Sequence, residues 1–264
     1  MKARNLLRTA SALTALLVTV GLPDSIAAAD ASPPQYYELR IYTTQSERQQ
    51  KLVSDYWQNA AVPAYNRMGI QPVGVFTELE DSATNKIYVL IPYDSPGMYA
   101  TVPSRLAADS DYQKAAAGYM GVPKSDPAYV RFESSLLVAF DGMKKLALPS
   151  STAEKKPWIF ELRTYESPSE SKGINKVEMF NNGEVTLMQE VGLSPVFFAQ
   201  TVAGAHMPCL VYMVSGENRD EHKTHWKGFS DAPVWKKLSS DPQYKDNVSK
   251  IYNTFLKRTP ASQI

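Results

Sequence analysis

The chain has 264 residues, 44% of them hydrophobic and 21% charged, with a formal net charge of +1. That balance fits a folded globular protein. Near-neutral charge, with no basic run interleaved with aromatics, excludes general attraction to nucleic acid or anionic membrane.

The first thirty residues form a class of their own. Lys2, Arg4 and Arg8 make a positive start, residues 10–22 are apolar, and Ala27-Ala28-Ala29 supplies small residues for cleavage near Ala29–Asp30. The apolar stretch falls short of the ~20 residues a spanning helix needs. Residues 1–29 therefore read as a signal peptide, and the mature protein is expected to be periplasmic or secreted, free of stable membrane insertion. The single cysteine, Cys209, rules out an internal disulfide and sits in an apolar strand-like run, where a buried inert thiol is expected.

From residue 36 the signals come in order. Residues 36–43 alternate in character and are rich in β-formers, which predicts a strand. Ser46-Glu47 opens a helix with Val53, Trp57, Ala60 and Ala64 on one face, interrupted by Pro63 and ended by Gly69. Residues 71–78 and 86–92 predict a strand pair turning at 80–85. A second helix over 95–116 and a strand over 128–140 follow. Residues 141–156, with Pro149, Ser150, Ser151 and several lysines, read as a linker.

The pattern then repeats at a constant offset of 123 residues. Glu38, Leu39, Arg40, Tyr42, Ser46, Glu47, Asn59, Val62, Gly69, Pro72 and Val73 recur as Glu161, Leu162, Arg163, Tyr165, Ser169, Glu170, Asn182, Val185, Gly192, Pro195 and Val196. Asn182-Gly183 interrupts the second copy's first helix where Pro63 interrupts the first. Interior Pro and Gly cost ~3 and ~1 kcal/mol, so both helices should bend there. Strands over 194–202, 208–215 and 248–258 and a helix over 218–239 complete the copy. Two domains, 36–140 and 157–258, are expected.

Strand, helix, strand, strand, helix, strand is the split-βαβ, ferredoxin-like module. Its sheet carries helices on one face only, and a second copy can cover the other. The expected fold is α+β: two βαββαβ repeats packed sheet to sheet as an intrachain dimeric α/β barrel, helices outside and a pocket inside.

Alternation puts Glu38, Arg40 and Tyr42 on one face of the first strand, and Glu161, Arg163 and Tyr165 on the matching face of its copy. With the apolar face turned to the helices, the polar face would look into the space between the sheets. Two roles suit it: a salt-bridge ladder fixing the docking, or the polar end of a ligand pocket, with Arg holding an anion and Tyr or Glu moving a proton. These six residues are the candidate ligand-binding set. His222 and His225, three apart on a helix beside Glu221, lack a third ligand and read as a solvated polar face, so neither metal nor cofactor is expected.

The runs Tyr37-Glu38-Leu39-Arg40-Ile41-Tyr42 and Gly69-Ile70-Gln71-Pro72-Val73-Gly74, their copies at 160–165 and 192–196, and Trp226-x-x-Phe229 with Asp231 and Trp235 resemble NIPSNAP-family domains. The resemblance covers most of 36–258 as a tandem pair. It implies dimeric α/β-barrel architecture and kinship with small oxygenases, isomerases and haem-handling barrels. By that analogy His206 is a conceivable haem ligand. The copies differ where Pro103 and Arg105 stand near the counterpart of Trp226.

The functional expectation is a small organic ligand or protein partner bound through a barrel formed by both repeats. The alternative is a cofactor-independent oxygenase or isomerase acting on a small aromatic or conjugated acid. Higher assembly through exposed sheet edges is open.

Overall fold

The computed structural model of the chain describes residues 32–79, 85–154 and 156–264; the expected leader lies outside them. β-Formers in alternation give strand β1 (Tyr36–Thr44). Ser46 Oγ accepts the Gln49 N–H and starts helix α1 (Glu47–Tyr56), with Glu47 favourably placed in its first turn. The expected interruption is a π turn, Trp57–Ala61, leading into α2 (Val62–Arg67). Pro63, lacking an N–H, fits this widened turn. Gly69, at φ +77°, ends the helix in the left-handed conformation of a C-cap glycine. Strands β2 (Gly74–Glu78) and β3 (Asn85–Tyr93) follow.

The single helix expected over 95–116 is two: α3 (Pro96–Ala108) and α4 (Ser110–Met120). Asp109 leaves the helical conformation and caps the second through the Tyr112 N–H. Strand β4 is Arg131–Ala139, and the linker holds the short α5 (Ser151–Glu154).

The second copy reproduces the plan. It contains β5 (Ile159–Glu166), α6 (Glu170–Met179), a π turn at Phe180–Glu184, α7 (Val185–Glu190), β6 (Pro195–Ala203) and β7 (Cys209–Gly216). Then come α8 (Arg219–Asp231), α9 (Pro233–Ser240) and β8 (Lys250–Arg258). Here too the long helix divides, at Ala232 before Pro233, which suits the first turn of a new helix.

The eight strands close into one barrel in the order β1-β3-β2-β8-β5-β7-β6-β4. All pairings are antiparallel, and the halves join at two seams, β2–β8 and β4–β6. Closure leaves the barrel strands without a free edge. The interior is filled by Tyr37, Leu39, Phe76, Phe160, Leu162, Phe197, Met213 and Leu256, all nearly inaccessible. Rings from opposite halves meet there, Phe76 with Phe160 at 4.9 Å and Tyr37 with Phe197 at 5.2 Å. Residues Pro33–Ile264 form one compact unit. Among the described residues no helix is long and apolar enough to cross a membrane.

Candidate functional site

The expected orientation of the first strands is reversed. Leu39 and Leu162 point into the barrel, whereas Glu38, Arg40 and Tyr42, with Glu161, Arg163 and Tyr165, point outward into the layers beneath the helices. The reason is a balance of polar partners. Inside the barrel eight strands converge on a closed apolar core, where an ionised side chain would be desolvated. The helix layers offer tyrosine hydroxyls, a histidine and a tryptophan N–H, which can satisfy those charges.

In the first half Glu38 and Tyr42 are buried and Arg40 is mostly so, its side chain 18% exposed against 17% for Arg163. Arg40 donates from Nε to Glu38 Oε1 (2.5 Å) and from Nη2 to Glu38 Oε2 and the Tyr65 hydroxyl, both 3.1 Å. Glu38 also accepts from the Tyr93 hydroxyl (2.9 Å) and the Ser134 hydroxyl (2.6 Å). Burial pushes the Tyr65 hydroxyl up to about 12, against the nearby Arg40 charge. Aromatic rings take up the remaining volume: Tyr56 and Tyr112 share a 2.9 Å hydroxyl contact, and Tyr56 stacks on Tyr119 at 3.8 Å. These bonds form a salt bridge, but all its partners belong to the first half, so it does not fix the docking of the two sheets.

The second half uses the same trio differently. Arg163 donates from Nη1 to Glu161 Oε1 (2.6 Å) and from Nε to the Tyr165 hydroxyl (3.2 Å), which lies 2.9 Å from the Tyr212 hydroxyl. Glu161 Oε1 accepts also from Asn253 Nδ2 (2.8 Å), while Oε2 lies 2.7 Å from His222 Nε2 and accepts from Trp226 Nε1 at 2.7 Å. Burial resists ionisation of Glu161, yet the His222 hydrogen bond, the Arg163 charge and Trp226 hold its pKa below the ordinary 4.5. For Arg163, burial works against the charge, but Tyr212, Tyr165 and Glu161 carry its pKa above the usual value. Its guanidinium lies 4.7 Å over the Trp226 ring, a contact of about 0.5–2 kcal/mol.

His222 corrects a second expectation, since it is 1% exposed rather than solvated. Gly216 makes room for it: a Cβ there would stand 3.2 Å from His222 Nδ1, and 123 residues earlier Tyr93 occupies that place. His225 is partly exposed and forms no cluster with it. His206 pairs with Glu166 at 2.8 Å. Among the described residues no group of three or more His, Cys, Asp or Glu could hold a metal ion. Cys209 is buried against the Thr201 hydroxyl, and burial raises its pKa, in keeping with an inert thiol.

Between β5 and helices α6–α9 lies a chamber of about 450 Å³, bordered by Arg163, Tyr165, Met188, Trp226, Phe229 and Trp235. It also contains an ion pair that the sequence reading missed. Lys176 Nζ lies 2.5 Å from Glu184 Oε1, with both side chains nearly inaccessible. Burial raises the Glu184 pKa, partly offset by the Lys176 charge. The ammonium faces the rings of Phe180 (4.8 Å), Trp235 (5.8 Å) and Tyr165 (5.9 Å). An apolar wall with two cations and a hydroxyl pair is a suitable binding surface for a small organic molecule. Two recesses border on both repeats, one of about 270 Å³ at Ile41, Tyr88, Glu133, Leu162 and His206 and one of about 670 Å³ at Gln58, Val62 and Arg258, and none of the six candidate residues lines either.

The NIPSNAP family pattern matches residues 37–122 and 160–263. The chain belongs to the NIPSNAP family. Both matched segments of this NIPSNAP protein carry the Glu-Leu-Arg-x-Tyr strand, and the second adds His222, Trp226 and Trp235. No curated protein matches the chain in sequence. Among solved structures, it is similar to a candidate monooxygenase from Lactobacillus acidophilus NCFM, with TM-score 0.56 and 10% identity, covering 87% of this chain and 97% of that one. A candidate monooxygenase from Fusobacterium nucleatum subsp. nucleatum ATCC 25586 gives TM-score 0.54 at 9% identity over 86% and 93% of the chains. An anthrone oxidase-like protein gives 0.50 at 9% over 88% and 93%. At such identity these likenesses establish the dimeric α/β-barrel fold alone.

Proposed function

We propose that this NIPSNAP protein binds a small, mainly apolar organic ligand with an anionic end, in the chamber of its second half. The observation carrying this reading is that a duplicated charged motif is hydrogen-bonded to a helix tyrosine in one copy and borders a cavity in the other. The Tyr65 hydroxyl accepts from Arg40, whereas the equivalent Met188 lines a cavity together with Arg163. Arg163 would hold the anion, and the faces of Trp226, Phe229 and Trp235 would hold the body of the ligand. This replaces a ligand held between the two sheets. Titrating small aromatic carboxylates against tryptophan fluorescence tests it: saturable quenching, lost in Arg163→Ala, is expected. No saturable response across aromatic and aliphatic acids would overturn it.

A catalytic reading is favoured by the Tyr165–Tyr212 hydroxyl pair and the buried Lys176–Glu184 pair, each able to move a proton. The monooxygenase and anthrone oxidase-like descriptions of the fold neighbours make oxygen-dependent turnover of a conjugated acid its natural form. Oxygen uptake on phenolic and quinol substrates tests that reading, and silence across the panel counts against it. Export, and a protein partner on the outer surface, are further parts of the proposal.

A further inference from the structure

We propose that Lys176 is a carbonyl-capturing amine, condensing with a small apolar aldehyde or ketone held in the second-half chamber while Glu184 relays the protons. This rests on the chamber binding an organic ligand and names the chemistry it would meet there. The first support is a control within the chain. At the 123-residue offset, Lys176 and Glu184 correspond to Val53 and Ala61, both fully buried around the equivalent π turn. The fold therefore builds this turn with plain apolar residues. A buried ion pair is costly to desolvate, and well-packed apolar replacements are often neutral or stabilising. The pair occurs in the copy whose Arg163 and Tyr165 border the chamber.

The second support is the setting of Nζ. Among the described residues its carboxylate partner is Glu184, at 2.5 Å, with the Met179 sulfur at 3.3 Å and aromatic ring faces beside it. An amine desolvated in an apolar pocket beside one proton acceptor is the arrangement that favours imine formation. Burial also raises the Glu184 pKa, which eases a proton shift from ammonium to carboxylate.

The step balances. Lys176 passes one proton to Glu184, and the free amine forms a C–N bond to the carbonyl carbon. A second nitrogen proton moves to the carbonyl oxygen, giving a carbinolamine. Glu184 returns its proton to that hydroxyl, which leaves as water. The product is a protonated imine whose charge again faces the Glu184 carboxylate. No oxidant or reductant is consumed.

The test uses the full chain with cinnamaldehyde and cyanoborohydride, reading tryptophan quenching and then the mapped mass of reduced adducts. Labelling at Lys176 is expected to exceed that at the exposed Lys51 and Lys227 by about ten-fold or more. It should vanish in Lys176→Met and fall in Glu184→Gln. The double variant Lys176→Met/Glu184→Gln, which restores neutrality, should still unfold cooperatively on heating and lose the adduct, so that loss of labelling is not loss of fold. Quenching without trapping at Lys176, or labelling spread evenly over surface lysines, overturns the lysine assignment and leaves ligand binding standing. Neither quenching nor trapping overturns the carbonyl proposal alone; absence of quenching by aromatic carboxylates as well overturns both.

Discussion

Tyr65 and Met188 stand at the same place in the two copies, and the exchange of one for the other marks where the halves diverge. Tyr65 is wholly buried and its hydroxyl accepts from Arg40, while Met188 is buried beside the chamber that Arg163 borders. Met188→Tyr should give Arg163 the helix tyrosine partner that Arg40 has. With 450 Å³ available, the new ring should cost less than about 1.5 kcal/mol. Ligand affinity should fall about ten-fold or more. Thermal unfolding and fluorescence titration on one sample read both.

Arg40→Ala and Arg163→Ala should separate structure from binding. Removing Arg40 leaves the 2% exposed Glu38 without a cation, a change costing about 3–5 kcal/mol. Aromatic acid binding by the folded fraction should persist. Removing Arg163 leaves Glu161 its bonds from Asn253, His222 and Trp226, so stability should suffer less and binding should be lost. Equal effects of both variants on binding would contradict the assignment.

Glu161 should shape the acid limb of stability. Its folded pKa lies below the ordinary 4.5, so its contribution is fully present above that value and is lost as pH falls through the lower folded pKa. Melting temperature measured from about pH 6 to pH 3 should therefore fall less steeply in Glu161→Gln than in the parent. At neutral pH that variant should be less stable by about 1–3 kcal/mol, because an amide N–H₂ now faces donors.

Gly216→Ala should act through His222. The added methyl, 3.2 Å from Nδ1, must displace a ring 2.7 Å from Glu161, for an expected loss of about 1–2 kcal/mol. In a His222→Ala background the loss should largely disappear, which a double-mutant cycle by denaturant unfolding would show.

Much of this architecture was legible in the sequence. The doubled interruption at Pro63 and Gly183 marked where both helices depart from regularity, though as bends rather than the π turns found, and the constant offset announced a barrel of two like halves. The facing of the first strands was not legible. Both faces of Tyr37–Tyr42 are buried, so alternation separates them without saying which is inside. His222 was hidden by Glu221 and Lys223, charged neighbours that make its helix read as solvated. Lys176 and Glu184 had left a trace: comparison of the copies sets charges opposite Val53 and Ala61 in otherwise matching helices. A lysine in an amphipathic helix ordinarily faces water, and only the packing of α9 and its Trp235 over that turn reveals this one as enclosed.

The leader makes a separate prediction. If the proposed leader is cleaved, intact mass of the protein made in its native host should lack residues 1–29, the expectation drawn from the Lys2, Arg4 and Arg8 cluster and the Ala27-Ala28-Ala29 site. A mass that includes Met1 would rule out cleavage.

Closure of the barrel bears on how this molecule can be dissected. A cut within 141–156 would part the chain between its repeats, yet β2 and β4 would lose β8 and β6, leaving two unpaired edges on each fragment. Each fragment would also bare an inner wall of Tyr37, Leu39 and Phe76, or of Phe160, Leu162 and Phe197. Such fragments would pair with copies of themselves or precipitate, and a self-paired second half would carry two chambers where the intact molecule has one. Fusion of the repeats is what allows one copy to keep a solid aromatic filling as ballast while the other is free to hollow out.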